Sequence, residues 1–317
     1  MNYLVTGGAG FIGSHLVERL LAEGERVICL DNFDDFYDPE WKRRNVKEAL
    51  RNPRFRLVEG DLRNEEILGK IFQEMKVDAV AHLAARAGVR PSIRNPLLYV
   101  DTNVRGTLNL LEACQKNGVR RFLFASSSSV YGNSPKVPFS EKDPVDNPIS
   151  PYAATKKAGE LLCHAYHHLY GLDIVCLRYF TVYGPRQRPE MAIHQFTRLI
   201  HQGQKISLFG MGNSKRDYTY IDDAVEGTMK ALSREHGYEI YNIGESQTTS
   251  LIHLVQMIEE RLGKKALINT LPEQPGDVEC TFADIGKAEE RLGYCPRMKI
   301  QDGLTRFVRW YLEENRT

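Results

Sequence analysis

The stretch Val5-Thr6-Gly7-Gly8-Ala9-Gly10-Phe11-Ile12-Gly13 is the part of the sequence that decides the fold. The apolar run 3–6 predicts a β-strand, and the spacing of apolar residues over 11–22 predicts a helix. The glycines between them permit a tight turn, and the N-terminus of the helix presents free N–H groups to an anion. The stretch therefore predicts a loop that binds the pyrophosphate of a dinucleotide.

The strand and helix that flank this loop are the first of a series. Further apolar runs that predict strands lie at 26–30, 55–59, 79–83, 121–125 and 174–178, and most of the segments between them have helical spacing, as at 104–116. Such alternation predicts an α/β fold with a doubly wound parallel sheet of the Rossmann type. We assign it to residues 1–184, and assign 185–317 mainly to a smaller α/β substrate-binding lobe, with some later elements returning to the sheet.

The composition is that of an ordinary enzyme. The 317 residues are 42% hydrophobic and 26% charged, with a net charge of +1, so no excess of charge favours nucleic acid or an anionic membrane as a partner. No apolar run approaches the roughly 20 residues of a membrane span, and we expect no signal peptide. The six cysteines are scattered without a Cys-x-x-Cys pair, which predicts buried free thiols, no metal site and a cytoplasmic protein.

Acidic residues follow the second and third predicted strands. Asp31 ends the second strand, where a carboxylate would bond the adenine ribose hydroxyls and repel a 2′-phosphate, favouring NAD over NADP. The alternative for Asp31 is a cap of the turn before Asn32. Asp61 follows the third strand, where it could meet the adenine amino group. His82 ends the fourth strand and is expected to be packed and hydrogen-bonded rather than catalytic.

A candidate base lies downstream, in Ser150-Pro151-Tyr152-Ala153-Ala154-Thr155-Lys156. A free tyrosine has a pKa of about 10 and is a poor base at neutral pH. The i to i+4 spacing places Tyr152 and Lys156 on one helix face, where the ammonium and a positive nicotinamide ring would stabilise the phenolate. The fifth predicted strand leads into Ser126-Ser127-Ser128-Ser129, and hydroxyls at this edge of the sheet face the ligand crevice. Together these features predict nicotinamide-dependent redox chemistry on a hydroxyl.

The glycine loop, His82-Leu83-Ala84-Ala85, the serine cluster with Val130-Tyr131-Gly132, the Tyr152/Lys156 pair and Arg178-Tyr179-Phe180 occur in the order seen in one family. Over essentially its whole length the chain resembles the extended short-chain dehydrogenases/reductases, specifically the nucleotide-sugar epimerases and dehydratases. The resemblance implies bound NAD and a UDP-sugar substrate. It also implies a homodimer built on helices at about 104–116 and 152–169.

The resemblance extends to individual site residues. It implies that Tyr152, Lys156 and Ser127 are catalytic, with Ser127 sharing a proton network with Tyr152 and the substrate 4-hydroxyl. The cofactor contacts that it implies, besides Tyr152 and Lys156, are Gly7, Gly10, Phe11, Ile12, Gly13, Asp31, Asn32, Asp61, Leu62, Leu83, Ala84, Ala85 and Asn103. The implied substrate contacts are Arg90, Ser127, Ser128, Thr181, Arg188, Arg216 and Asp277, with Arg86 as a further possible contact.

Three stretches resemble UDP-glucuronate 4-epimerases in particular: 31–38, the run from Arg178 to Ala192, and Pro275-Gly276-Asp277-Val278 followed by Thr281. UDP-glucose 4-epimerases usually have Asn where this chain has Thr181. A sugar carboxylate requires charged or hydroxyl donors in a fixed geometry, for which Thr181, Ser128 and Arg188 are the candidates. These residues predict 4-epimerisation of UDP-glucuronate to UDP-galacturonate without decarboxylation.

Three alternatives stay open, and a fourth, the 4,6-dehydratase, is discounted. The chain could be a UDP-glucose/UDP-galactose 4-epimerase, against which Thr181 and the loop 186–188 argue, or a UDP-glucuronate decarboxylase, which would release CO2 and a pentose product. A 4,6-dehydratase usually needs an Asp-Glu pair in the serine cluster, and Ser127-Ser128-Ser129 contains none. The last alternative is a non-enzymatic protein that binds the dinucleotide but converts no nucleotide sugar.

Overall fold

The computed structural model describes residues 1–272 and 278–315. Its largest element is a seven-stranded, fully parallel sheet with the strand order β10-β6-β5-β4-β1-β2-β3. Its strands are β1 (Asn2–Thr6), β2 (Arg26–Asp31), β3 (Phe55–Glu59), β4 (Ala79–His82), β5 (Arg121–Ser127), β6 (Asp173–Tyr179) and β10 (Tyr238–Ile243). The doubly wound α/β fold predicted from the sequence is confirmed, and all six strands predicted before residue 184 are present.

Helices cover both faces of this sheet. The helices up to residue 170 are α1 (Phe11–Ala22), α2 (Pro39–Val46), α3 (Glu65–Glu74), α4 (Val89–Arg94), α5 (Pro96–Tyr99), α6 (Gly106–Lys116) and α7 (Pro151–Tyr170). Those after it are α8 (Ala192–His201), α9 (Ile221–Leu232), α10 (Leu251–Leu262), α11 (Gly286–Leu292) and α12 (Ile300–Glu314). A π-helical stretch, Val100–Arg105, leads into α6, and short 3-10 turns occupy Ala49–Arg51 and Ser128–Tyr131.

Alternation along the strands divides the interior into two cores. In β5, Leu123 and Ala125 face the core that contains α1 and α9, whereas Phe122 and Phe124 face the core formed with α3, α6 and α7. Successive side chains of a strand point to opposite faces, so a strand buried on both faces is apolar throughout. This explains why the sheet strands read as continuous apolar runs in the sequence.

The remaining strands form two small sheets. One has the order β11-β9-β7 and the other the order β12-β8. Their strands are β7 (Thr181–Tyr183), β8 (Lys205–Phe209), β9 (Lys215–Tyr220), β11 (Thr248–Ser250) and β12 (Leu267–Leu271). Since β10 pairs with β6 in the large sheet, the chain after residue 184 contributes to both parts of the molecule.

Within the described ranges, no helix has the length and apolar character needed to cross a membrane. All six cysteines are free; four are buried, Cys280 is partly buried and Cys295 is exposed. The prediction of buried free thiols is confirmed for Cys29, Cys114, Cys163 and Cys176, which are ordinary core residues, and is wrong for the exposed Cys295.

Candidate active site

The order of the strands in the large sheet explains the position of the cleft. Along the chain, β1, β2 and β3 run toward one edge of the sheet, and β4, β5 and β6 then extend it on the other side of β1. Ligands of doubly wound folds bind in the crevice at such a reversal, outside the carboxyl ends of the strands. The cleft found here is lined by residues that follow β1, β2, β3, β4, β5 and β6, in agreement with that rule.

The glycine loop forms the floor of the cleft next to α1. The Gly10 N–H donates to the Gly7 carbonyl O at 3.1 Å, and the Ser14 N–H donates to the Gly10 carbonyl O at 3.0 Å, where the helix begins. A Cβ atom at Gly13 would lie 2.1 Å from the Gly7 carbonyl O, so only glycine fits there. The free N–H groups of the first helical turn therefore lie at the cleft, as an anion site requires.

Asp31 lies at the end of β2 and is buried. One carboxylate oxygen, Oδ2, accepts from the Ala9 N–H at 3.1 Å, and Oδ1 accepts from the Phe33 N–H at 2.9 Å. Burial raises the pKa of Asp31, while these two hydrogen bonds and the charge of Lys42 oppose the shift. Asp31 thus holds the glycine loop and the turn after β2 together while still lining the cleft.

Asp61 makes more hydrogen bonds within the protein than its position in the sequence suggested. Its carboxylate accepts from the backbone N–H and the guanidinium of Arg63, at 2.8–2.9 Å, and from the Asn32 side chain at 2.9 Å. The hydrogen bonds from Arg63 are the main reason that the pKa of Asp61 lies well below its usual value. Asp61 and Asn32 both line the cleft, so this pair borders the region proposed for the adenine.

The structure brings together most of the predicted cofactor contacts. Twelve of the thirteen residues predicted besides Tyr152 and Lys156 line one cleft: Gly7, Gly10, Phe11, Ile12, Gly13, Asp31, Asn32, Asp61, Leu62, Leu83, Ala84 and Ala85. Asn103 is instead buried beneath it, where its side chain accepts from the Arg86 N–H at 2.7 Å and donates to the Thr155 hydroxyl at 3.0 Å. Asn103 therefore joins the loop after β4 to α7.

Tyr152 lies at the start of α7, which the sequence defines clearly. The Ser150 hydroxyl accepts from the Ala153 N–H at 3.1 Å, and Pro151 occupies the first turn, where its missing N–H costs nothing. Burial raises the pKa of Tyr152, while a hydrogen bond with Ser127 and the positive charge of Arg188 act in the opposite direction. Ser127 and Arg188 are thus the groups that favour the phenolate in this arrangement.

Lys156 lies one turn further along α7 and is buried. Its Nζ donates to the Ala125 carbonyl O at 2.7 Å. Burial lowers the pKa of Lys156 to about 8, so the ammonium form predominates at neutral pH. The close approach of α7 to β5 depends on Gly159, since a Cβ atom there would lie 2.2 Å from the Phe124 ring.

The serine cluster is supported from behind by a buried ion pair. Glu160 accepts from the Ser126 hydroxyl at 2.6 Å and from two nitrogens of Arg178 at 2.8 Å each. Arg178 also donates to the Tyr131 hydroxyl at 3.0 Å, which donates to Asn242 at 2.7 Å. This network ties α7, β6 and β10 to the end of β5, which fixes the strand from which Ser127 projects.

The predicted substrate residues separate into two groups. Ser127, Ser128, Thr181 and Arg188 line the cleft beside Tyr152. Arg90 lies over the Phe209 ring at 4.6 Å, and Arg216 donates to the Lys215 carbonyl O at 2.9 Å. Neither is among the described residues that line the cleft. Asp277 lies outside the described residues.

The structure adds cleft residues that were not among the predicted contacts. Asp34, Phe36 and Tyr37, from the segment after β2, all line it. Asp34 pairs with Arg86 at 2.6 Å, and the Phe36 ring lies near both Arg86 and Arg188, at 5.7 and 5.8 Å. The dense acidic and aromatic run 31–38 was the available signal, since such residues in a loop at the carboxyl edge of a sheet indicate a binding role.

His82 is structural in this arrangement. It lies buried between the hydroxyls of Thr6 and Thr107, at 2.7 and 2.8 Å. Burial, together with the charge of Lys156, lowers the pKa of His82 to about 3, so the ring is neutral at pH 7. Among the described residues, no group of three or more His, Cys, Asp or Glu side chains is placed to hold a metal ion.

Comparison with known proteins agrees with this geometry. The family model for GDP-mannose 4,6 dehydratase matches residues 4–307. A UDP-glucuronate 4-epimerase of Thermodesulfobacterium geofontis is 47% identical over 313 residues, covering 98% of this chain and 96% of the relative.

Two solved structures show how widely the fold is shared. UDP-glucuronic acid 4-epimerase from Bacillus cereus, in complex with UDP-glucuronic acid and NAD, has a TM-score of 0.93 at 40% identity, covering 99% of this chain and 100% of that one. A UDP-glucose 4-epimerase from Thermotoga maritima, with UDP-glucose, has a TM-score of 0.91 at 36% identity, covering 99% of each chain. The chain belongs to the extended short-chain dehydrogenases/reductases, within the group that the GDP-mannose 4,6 dehydratase model describes.

Proposed function

We propose that this protein is an NAD-dependent 4-epimerase that converts UDP-glucuronate to UDP-galacturonate through a transient 4-keto sugar, without decarboxylation. The observation that supports it best is the position of Arg188, whose positive charge acts on Tyr152. The carboxylate of a uronate is attached to C5, the carbon next to C4. The C4 hydroxyl must face the base. A cation beside Tyr152 therefore lies where a uronate carries its negative charge.

The cofactor half of the cleft fits NAD. The glycine loop presents backbone N–H groups at the start of α1, and Asp31 lines the cleft at the end of β2, where it favours an unphosphorylated ribose. NAD bound there would supply the reversible hydride transfer at C4 that epimerisation requires. Lys156, buried at the base of the cleft, would hold the nicotinamide ribose.

Tyr152 is the proposed base and then acid at the C4 hydroxyl. Burial raises the pKa of Tyr152, and Ser127, whose hydrogen bond with the phenol acts to lower it, is assigned the relay of the proton between the phenol and the sugar hydroxyl. The ammonium of Lys156 and a positive nicotinamide ring would add to the effect of Arg188 and lower the pKa of Tyr152 further.

The carboxylate sets a second requirement. A 4-keto uronate is a β-keto acid, and such acids lose CO2 when the bond to the carboxylate aligns with the carbonyl π system. Thr181 and Ser128 come from different parts of the fold and both line the cleft beside Tyr152. We assign them the role of holding the carboxylate out of that alignment while the ketone turns its other face to the nicotinamide.

Further contacts are assigned on the resemblance alone. Arg216 is proposed for the diphosphate, and Arg90 and Asp277 for other parts of the substrate. The cleft takes residues from both sides of position 184, so we propose residues 1–184 as the dinucleotide-binding part and 185–317 mainly as the substrate-binding part. Free cysteines support a cytoplasmic location.

The deciding experiment incubates purified protein with UDP-glucuronate, without added NAD, and identifies products by NMR. UDP-galacturonate with little pentose is the expected result. A pentose product with release of CO2 would favour the decarboxylase. Turnover of UDP-glucose without turnover of UDP-glucuronate would favour the neutral-hexose epimerase and remove the carboxylate role of Arg188 and Thr181. Bound NAD without conversion of any nucleotide sugar would favour a non-enzymatic role.

A homodimer is proposed as the functional form. Val100 and Leu108, on the helical segment that leads into and includes α6, are 49% and 36% exposed, and Leu161 and Leu169 on α7 are 59% and 64% exposed. Leu161 and Leu169 are eight apart on α7 and fall within the width of one apolar stripe. Val100 and Leu108 add exposed apolar side chains on the neighbouring helical segment. Two copies that pack these side chains together would form a four-helix bundle.

The dimer is tested by Leu161→Glu, which places a charge in the proposed interface. Light scattering should show a monomer for this variant and a dimer for the wild type. Leu50→Glu is the matched control, because Leu50 is 55% exposed on a different surface. A wild-type monomer, or a Leu161→Glu variant that remains a dimer, would contradict the assignment.

A further inference from the structure

The loop that contains Arg188 is held by contacts outside the cleft. Arg186, two residues earlier, has a backbone φ of 64°, in the left-handed region that non-glycine residues seldom adopt. Such a conformation persists only where the surrounding structure holds it. The contacts that hold this one run to α1, the helix that begins at the glycine loop.

Arg186 bonds two residues of α1. Its Nη2 lies 2.6 Å from Glu18 Oε1, and its Nη1 donates to the Ser14 hydroxyl at 3.3 Å. Ser14 is buried, and its hydroxyl in turn donates to the Phe11 carbonyl O at 3.1 Å. Ser14 and Glu18 are one turn apart, so Arg186 bonds one side of α1 close to its cofactor-binding end.

Gln187 links Arg186 to Arg188 and is itself held in place by hydrogen bonds. It is buried, with its N–H donating to the Gly184 carbonyl O at 3.1 Å and its side-chain amide to the Val182 carbonyl O at 3.2 Å. Its own carbonyl O bonds the His194 ring at 2.6 Å. With the residue between them fixed, the two arginines diverge: Arg186 extends to α1, and Arg188 extends into the cleft beside Tyr152.

We propose that Arg186 and Glu18 are positioning residues that fix Arg188 relative to the cofactor helix and thereby set the preference for a carboxylated sugar. The inference rests on the proposed function and extends it to residues outside the cleft. A charge-assisted contact to a carboxylate requires a fixed geometry, so a displaced Arg188 would bind the substrate carboxylate less tightly. The ion pair itself is partly exposed, with 24% of the Arg186 side chain and 39% of the Glu18 side chain accessible. Ion pairs of this kind contribute little to folding stability, so its loss should leave the fold intact.

The test substitutes Glu18→Gln in the full-length protein with its NAD. We expect KM for UDP-glucuronate to rise about tenfold with kcat changed by less than about twofold, the pattern of lost substrate binding. The inhibition constant of UDP, which has no carboxylate, should stay within about twofold of wild type, and so should the NAD content.

Glu23→Gln is the matched control, because Glu23 pairs with Arg19 at 2.7 Å at the far end of the same helix. It should match wild type in every measurement. The double variant Glu18→Arg with Arg186→Glu restores the pair with reversed charges and should recover most of the lost affinity for UDP-glucuronate.

Two outcomes would overturn the inference while leaving the epimerase activity standing. One is a Glu18→Gln variant with the same KM as Glu23→Gln. The other is equal weakening of UDP-glucuronate and UDP binding, which would indicate a general structural effect. Conversion of UDP-glucuronate by the wild-type protein tests the proposed function separately.

Discussion

The glycine loop and the sugar side of the cleft are built in different ways. The glycine loop is continuous in sequence, and its shape follows from contacts among neighbours, such as the 3.1 Å bond between Gly10 and Gly7. The sugar side is assembled from Ser128, Thr181 and Arg188, which follow three different strands. The first is a local device that any dinucleotide enzyme of this fold can use. The second exists only when distant segments meet, and in the proposed function it selects the substrate.

This difference has a consequence for mutation. Changes in the glycine loop should affect every substrate alike, because they act through the cofactor. Changes on the sugar side should discriminate between a uronate and a ligand that lacks the carboxylate. Changes at Tyr152 should stop the chemistry while leaving both kinds of binding in place.

Tyr152→Phe should have the largest effect. Removing the phenol oxygen removes the proton acceptor, and we expect kcat to fall by about 10³-fold or more. NAD content and the affinity for UDP should stay near wild type. The variant and the wild type are compared by product formation, measured by NMR, and by the amount of NAD released on denaturation. A variant with near-normal kcat would show that Tyr152 is not the base.

Gly13→Ala should have the next largest effect. The added Cβ would lie 2.1 Å from the Gly7 carbonyl O, so the loop or the helix must move. We expect affinity for NAD to weaken by about a hundredfold, or about 2.7 kcal/mol, with turnover of any nucleotide sugar falling in parallel. Gly69→Ala in α3 is the control, since a Cβ there meets nothing within 4 Å. Retention of NAD by Gly13→Ala would contradict the assignment of the loop.

Arg188→Ala tests the sugar side of the cleft. Loss of a charge-assisted contact to the carboxylate should raise KM for UDP-glucuronate by about 10- to 100-fold, equivalent to about 1.4–2.7 kcal/mol. The inhibition constant of UDP should be almost unchanged. Arg51→Ala is a control, because Arg51 is exposed and pairs only locally with Glu48 at 2.8 Å. Parallel loss of UDP affinity would place Arg188 on the nucleotide rather than the sugar.

Thr181→Val should have the smallest effect and the most specific one. It preserves the side-chain shape while removing one hydroxyl donor, so we expect a loss of about fivefold in kcat/KM, equivalent to about 1 kcal/mol. The carboxylate would be less restrained, and the fraction of pentose among the products should rise. A variant that releases no more pentose than wild type would show that Thr181 does not control decarboxylation.

Sequence reasoning was most successful where the determinants are local. The spacing of glycines between a strand and a helix, and the i to i+4 relation of Tyr152 and Lys156 on one helix, each lie within a single segment, and the structure has both as predicted. The sequence did not indicate the contacts of Asn103, which is buried and joins the loop after β4 to α7. It also missed the pairing of Asp34 with Arg86, because the partners follow different strands and no local pattern relates them.

By itself the sequence determined the strand and helix alternation, the glycine loop between β1 and α1, and the placement of Tyr152 and Lys156 one turn apart on a helix. These follow from periodicity and backbone stereochemistry, which act over a few residues. Only the tertiary structure decided that the positive charge of Arg188 acts to lower the pKa of Tyr152, which burial raises, and that Arg186 bonds α1, the helix that begins at the glycine loop. Such relations depend on the packing of segments that are separate in the chain, as for Glu18 and Arg186, which are 168 residues apart. Electrostatic effects depend on distance in space rather than on separation in sequence.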